Sequence, residues 1–236
     1  MKKTLALLAL VLLVIGCGGK GQVQPQAQPA TPPAETLTAA PAETAAAAAQ
    51  TPKPPLTPAQ PGTGGILKDT LTINTLPANL YINIKVKDFG TMKIKFLTKD
   101  APKNVTNVAN LAIKGFYNGL IFHRLIPGFM IQGGDPQGTG MGGPGYEIDA
   151  EIKAKHLKGS MAMARTGDQV NPQKRSSGSQ FYICFVPTPF LDGNYTVIGN
   201  MVSGEDVLAK LEKVPTGAQD KPIKPVVMES VTITTE

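Results

Sequence analysis

The chain has 236 residues, enough for one domain of ordinary size plus further segments, and 42% of them are apolar, enough for a globular core. Its net charge is +6, with 19 basic and 15 acidic side chains in residues 68–236. That mild excess, without any Lys/Arg block of five or more, argues against a nucleic-acid partner and leaves a weak preference for anionic neighbours.

The first element is a targeting signal. "MKKTLALLALVLLVIGCGGK" has two lysines, an apolar run from Leu5 to Ile15, then Gly16 and Cys17. The run is shorter than the roughly 20 residues a membrane-spanning helix needs, and it fits the apolar region of a secretory signal peptide. "VIGC" at its end resembles the bacterial lipobox. The resemblance implies cleavage after residue 16, lipid on the Cys17 thiol, and a mature protein anchored outside the cytoplasm to a bacterial cell membrane or outer membrane.

Residues 17–67 follow as a tether rich in Pro, Ala, Gln and Thr, without aromatics. Such a segment cannot bury enough apolar area to offset ordering and is expected to be disordered. As polyproline II it would reach about 150 Å. The third segment, 68–236, is the expected folded domain. The stretch 66–79, across the border of the two segments, reads either as a further strand or as the end of the tether.

From residue 81, "YINIKVKDFGTMKIKFL" alternates strictly. Ile82, Ile84 and Val86 share one face and Lys85 and Lys87 the other, a turn is expected at residues 89–91, and Met92, Ile94 and Phe96 repeat the pattern. This predicts two half-buried antiparallel strands. Asp100 is placed to cap a helix with Pro102 in its first turn, Val105, Val108, Ala109 and Ala112 as its apolar stripe and Gly115 as its stop. Further strands are predicted at 121–126, 129–133, 159–164, 179–186, 195–200 and 225–234, and a second short helix at 204–213. About eight strands and two helices predict a mainly β fold, a closed eight-stranded antiparallel barrel capped by two helices.

One stretch breaks this plain pattern. "YNGLIFHRLIPGFMIQGG" (117–134) sets Arg124 and Gln132 among large apolar residues, although an Arg is almost never fully buried unless paired. The stretch resembles the signature of the cyclophilin-type peptidyl-prolyl isomerases. "GGDPQGTGMGGPGYEIDAE" (133–151), "MAMART" (161–166), "GSQFYI" (178–183) and "FLDGNYTVIG" (190–199) match later blocks of that family in order. The resemblance covers about residues 80–234.

It implies an isomerase acting on X–Pro bonds of proline-containing, exported chains, assisting their folding without a cofactor or metal, as a monomer. Rotation about the X–Pro amide is opposed by about 18–20 kcal/mol, because the nitrogen lone pair is delocalised into the carbonyl. A donor aimed at that nitrogen favours the twisted state, more so in a dry surrounding. The resemblance gives this role to Arg124, with Gln132 orienting it and bonding the substrate carbonyl. Phe129, Met130, Tyr182 and Leu191 would form the proline pocket with Phe122 behind them. Ala164, Arg165 and Gln180 would line the groove, and Phe190 and Tyr195 would complete it. Three positions depart from common patterns: Tyr182 where many members have Phe, Phe190 where cyclosporin-sensitive members have Trp, and Tyr195 where animal members often have His. The segment 166–178 is longer than the usual bacterial loop.

His123 and His156 lack ligand-type spacing and are expected to be structural. The glycines at 138–145 lack the Lys-Ser/Thr of a phosphate loop and are expected to permit turns. Cys184, in "QFYICFV", is expected to be a small buried hydrophobe. The rival functions are a non-catalytic proline-peptide-binding module and an envelope chaperone.

Overall fold

A computed structural model describes residues 65–235. These belong to the second of two units into which the chain divides, Lys53–Glu236. The signal sequence, Cys17 and all of the tether up to residue 64 lie outside the described residues.

The alternating stretch forms the hairpin of β1 (Leu80–Val86) and β2 (Gly90–Phe96). Its turn is at residues 87–89, earlier than the sequence places it, and Asp88 takes the left-handed conformation (φ 67°) that Asp tolerates better than most residues. Gly90 reads as a turn residue but begins β2, opposite Val86. The remaining strands are β3 (Ile121–Ile126), β4 (Met130–Gly133), β5 (Glu147–Ile148), β6 (Ser160–Met163), β7 (Ser176–Ser177), β8 (Phe181–Cys184), β9 (Val197–Ser203) and β10 (Val226–Thr235). Eight of them close a barrel in the order β1-β10-β3-β4-β8-β6-β9-β2. Every neighbouring pair is antiparallel. The two-residue strands β5 and β7 pair outside the barrel and are too short for any periodicity to announce them.

A barrel of eight strands is just wide enough for side chains to fill it. Ile82, Ile84, Met92, Ile94, Leu125, Ile131, Met161 and Ile183 all point inward and are fully buried. Helix α1 (Pro102–Ile113) packs against β10 and buries Val105, Val108, Ala109 and Ala112, the stripe read from the sequence. Helix α2 (Glu205–Leu211) packs on β2 through Val207, Leu208 and Leu211.

Residues 66–79 are a strap laid on the barrel. Ile66 bridges to Thr234, and the Leu67 amide donates to the Ile233 carbonyl at 2.9 Å. Asn110 of α1 holds the strap from both sides: its Oδ1 accepts from the Leu71 amide and its Nδ2 donates to the Leu71 carbonyl, each at 2.8 Å. Leu67, Leu71 and Leu76 pack against the core. A strap held by one helix side chain carries no periodic signal, so pattern alone left it between strand and tether.

The start of α1 differs from the expectation. Ala101, not Asp100, is the N-cap, and it offers no side-chain acceptor. The Glu151 carboxylate replaces it, accepting from the amides of Lys103 (3.1 Å) and Asn104 (2.9 Å) and from Asn104 Nδ2 (2.9 Å). A cap supplied from 48 residues away is invisible to a local motif. Glu151→Ala should therefore cost about 1–2 kcal/mol, the upper range for a lost cap. Asp100→Ala should stay within about 0.5 kcal/mol. Urea unfolding monitored by circular dichroism checks both, and equal midpoints for the two variants would refute the assignment.

Candidate active site

Arg124 and Phe122 lie two positions apart on β3, so regular alternation would put both on one face. A β-bulge separates them. Phe122 pairs with Gly133 and Arg124 with Gln132, so three residues of β3 span two of β4, and His123 is the extra one. Bulges re-aim side chains in this way. Phe122 goes inside, 1% exposed, edge-on to Phe181 at 6.3 Å between ring centroids. Arg124 goes outside with its side chain 45% exposed. Phe122 therefore belongs to the barrel interior, behind the wall that carries the pocket residues, and is part of the inner core and not of the apolar cluster around them. His123 is left buried at 6% exposure with neither ring nitrogen hydrogen-bonded. Burial holds its pKa below the ordinary value, against the pull of Asp135 and helped by the charges of Arg124 and Lys221.

Strand register then assembles a row across the outer face: Arg124 beside Gln132, Gln132 beside Tyr182, Tyr182 beside Ala162, Ala162 beside Val197. The parallel inner row, Leu125, Ile131, Ile183 and Met161, is core. This two-sided burial explains why β6 and β8 are buried at every position. Around the outer row a second apolar cluster forms from Met130, Ala162, Tyr182, Cys184 and Val197, with Phe129, Ala164, Leu191 and Tyr195 packed against it. The pocket residues expected from the sequence, Phe122 apart, thus come together beside Arg124 and Gln132. Phe190 stands at the rim, 68% exposed, its ring 5.6 Å from that of Phe129.

Polar groups fix this surface. Gln132 Nε2 donates to Gln180 Oε1 at 2.9 Å, and Gln180 Nε2 donates to the carbonyls of Gly140 (3.0 Å) and Gly142 (2.7 Å). Gln132 thus bonds to Gln180 and, among the described residues, makes no hydrogen bond to Arg124, which the resemblance implies it orients. Arg124 instead donates from Nε to Asp220 Oδ2 at 3.3 Å. The loop carrying Gly140 and Gly142 is wound around Asp135, whose carboxylate accepts from the amides of Gln137, Thr139, Gly140 and Gly142. Burial pushes the Asp135 carboxyl up, but those four N–H groups together hold it below its usual value. A Cβ on Gly142 would collide with that carboxylate, so the glycine there serves close approach. Gln132, Gln180, Ala164, Arg165 and residues 142–147 line a cleft of about 500 Å³ next to the apolar pocket.

Arg165 contributes packing more than reach. Its side chain is 5% exposed, paired to Asp168 at 2.6 Å, donating to the Asn194 carbonyl at 2.8 Å, and lying over the Tyr195 ring at 4.6 Å. Tyr182 buries a hydroxyl that the more common Phe would lack. It meets His156 Nε2 at 3.0 Å, while His156 Nδ1 meets Asp192 Oδ1 at 2.8 Å. Burial pushes the Tyr182 hydroxyl pKa up, and the bond from His156 holds Asp192 below its usual value. Cys184 is a buried free thiol near Thr188 Oγ1 at 3.4 Å. The longer segment 166–178 is tied into the walls on both sides. Lys174 donates to Asn194 Oδ1 (2.7 Å), and Arg175 donates to the Glu147 carbonyl (3.3 Å). Among the described residues no group of His, Cys, Asp or Glu is arranged to hold a metal.

Sequence reasoning missed Asp220 and the His156–Asp192 pair. Asp220 lies 96 positions from Arg124, in a loop without periodicity, and nothing local announces it.

The family described as cyclophilin type peptidyl-prolyl cis-trans isomerase/CLD matches residues 81–233. The chain belongs to the cyclophilin family. A peptidyl-prolyl cis-trans isomerase of Helicobacter pylori (strain ATCC 700392 / 26695) is 45% identical over 145 residues, 60% of this chain and 84% of that protein. One from Synechococcus elongatus is 48% identical over 119 residues, 50% of this chain and 78% of that protein. The crystal structure of a cyclophilin type peptidyl-prolyl cis-trans isomerase of Cryptosporidium parvum is similar at TM-score 0.62 and 33% identity, over 66% of this chain and 98% of that one. A second structure of that protein was determined in the presence of the dipeptide Ala-Pro, at TM-score 0.61. This cyclophilin is a peptidyl-prolyl cis-trans isomerase.

Proposed function

We propose that this isomerase acts on X–Pro bonds of exported chains from a lipid anchor on Cys17, with Arg124 as the donor to the proline nitrogen. The reading of the site rests on the bulge that turns Arg124 out of the barrel and into one row with Gln132 and Tyr182, beside the apolar cluster. A proline ring seated on Phe129, Met130 and Leu191 would bring its nitrogen towards the guanidinium. Nothing covalent is needed. Charge-assisted donation to the localised lone pair lowers the twist barrier, and each tenfold in rate takes about 1.4 kcal/mol. Gln132 would hold the substrate carbonyl through the amide that Gln180 fixes.

The extracytoplasmic reading rests on the signal sequence, the lipobox-like "VIGC" and the Pro/Ala-rich segment after it. The 45% identical Helicobacter protein supports the catalytic part. Cell fractionation with a protease-coupled X–Pro assay tests the whole. Activity should sediment with membranes, dissolve in detergent, and be lost when intact spheroplasts are treated with protease. Activity in the cytosolic fraction would refute an exported role.

Phe190 sets a further expectation. In cyclosporin-sensitive members a Trp indole N–H meets the inhibitor, and Phe has no donor. An inhibitor carbonyl left unpaired costs about 1–3 kcal/mol, roughly 5- to 150-fold in affinity. Phe190→Trp should tighten cyclosporin binding at least about fivefold and change turnover little, since the exposed ring lies at the rim. Equal inhibition constants for both proteins would move the control of sensitivity to the 166–178 segment.

A further inference from the structure

We infer that Asp220 is a positioning residue for Arg124: it holds the guanidinium by Nε and leaves the two terminal nitrogens for the substrate. This deepens the reading of Arg124 as the donor and rests on it.

Three observations carry the inference. The first is the contact itself, Arg124 Nε to Asp220 Oδ2 at 3.3 Å, while both terminal nitrogens of Arg124 are without a partner among the described residues. The second is that Gln132, the neighbour across the strands, turns its Nε2 to Gln180, and among the described residues the hydrogen bond on the guanidinium comes from Asp220 and not from Gln132. A long side chain that is 45% exposed would otherwise sample many rotamers, and a donor must be held in the productive geometry to act.

The third is the loop that presents Asp220. Thr216 bridges to Pro222, the Gly217 amide donates to the Lys221 carbonyl at 2.8 Å, and the Ile223 amide donates to the Pro215 carbonyl at 3.0 Å. At its tip Gln219 and Asp220 both take φ 57°, the left-handed region that residues with a Cβ rarely occupy singly, let alone in succession. Such conformations persist where surrounding structure over-determines them, and they cluster at functional sites. Here the strained tip is the part that touches Arg124.

The pair is half exposed on both sides, so solvent screens its charge. Orientation, not charge suppression, is what it provides. A misoriented donor weakens the twisted state more than the bound ground state, so the loss should fall on kcat and spare KM.

A double-mutant cycle on the full chain, with a proline-containing test peptide, decides this. Asp220→Ala should lower kcat about three- to fivefold, the span that half-exposed ion pairs reach, with KM unchanged. Asp220→Asn keeps an acceptor oxygen and a residue type that tolerates the left-handed backbone, and should recover part of the loss. In an Arg124→Ala background, assayed at about 100-fold higher enzyme concentration to offset the lost donor, Asp220→Ala should have no effect. The same fold-loss in both backgrounds would make Asp220 merely structural and overturn the inference. So would wild-type kcat for Asp220→Ala while Arg124→Ala is inactive, which leaves the reading of Arg124 standing. Full activity of Arg124→Ala itself would remove both.

Discussion

Arg124→Ala should lower kcat/KM for X–Pro isomerisation by about 100- to 1000-fold, the loss seen when one preorganised transition-state donor is removed. The melting temperature should hardly move. The side chain leaves the barrel at the bulge and is half exposed, and its bond among the described residues is a surface ion pair to Asp220, worth about 0–1 kcal/mol. Arg124→Lys should not rescue fully, because an ammonium is a point charge without the planar fork that fixes direction. Isomerisation rate and thermal unfolding measured on the same preparations separate the possibilities. Full activity would sink the donor role, and a collapsed melting temperature would make Arg124 a structural residue.

Arg124 also shows where sequence reasoning stops. The barrel was legible because its inner face is read two residues at a time: Ile82, Ile84, Met92 and Ile94 alternate without interruption and all end up buried. The helical stripe of α1 was legible for the same reason at its own period. A bulge breaks the period at one residue, and Phe122 and Arg124, equivalent by alternation, separate to opposite faces. The same bulge puts Phe122 on the inner side of the wall that carries the pocket, the position behind it that the resemblance implies and alternation alone does not. Strands β6 and β8 hide their orientation in another way, because both faces are covered and every residue is buried without alternation. Their outward residues, Ala162 and Tyr182, are identified only by register with Gln132 and Arg124.

Polar partners were the least legible. The resemblance makes Gln132 the orienting neighbour of Arg124, yet its amide bonds to Gln180, 48 residues away. Asp100 was read as a cap by position, yet Glu151 supplies the carboxylate. Hydrogen bonds across such separations are set by the closed topology, and no local spacing encodes them. Tyr182 illustrates the reverse: it departs from the common Phe, and the departure makes sense once His156 and Asp192 are seen behind it, because a buried hydroxyl without a partner would cost about 1–3 kcal/mol.

Cys17→Ser should release the protein from membranes entirely while leaving its isomerase activity per molecule unchanged. The lipid would be carried through a thioether, and a serine hydroxyl cannot form one. Each buried CH₂ of an acyl chain adds about 0.8 kcal/mol, so a residue carrying more than one chain anchors stably, and its loss leaves nothing of comparable strength. The apolar run from Leu5 to Ile15 is eleven residues, about 16 Å as a helix at 1.5 Å per residue, against a hydrocarbon core of roughly 30 Å. That length favours the proposed lipid over the apolar run as the anchor. Among the described residues no helix is long and apolar enough to cross a membrane either. Activity should survive because Arg124, Gln132 and the apolar cluster sit in the barrel, and the first backbone pairing with it among the described residues is at Ile66. Detergent phase partitioning and membrane sedimentation of the two proteins, with the X–Pro assay run on each fraction, give both readouts. If the serine variant still sediments with membranes, the uncleaved N-terminal run is the anchor; if it is released but inactive, the segment before Ile66 does more than tether.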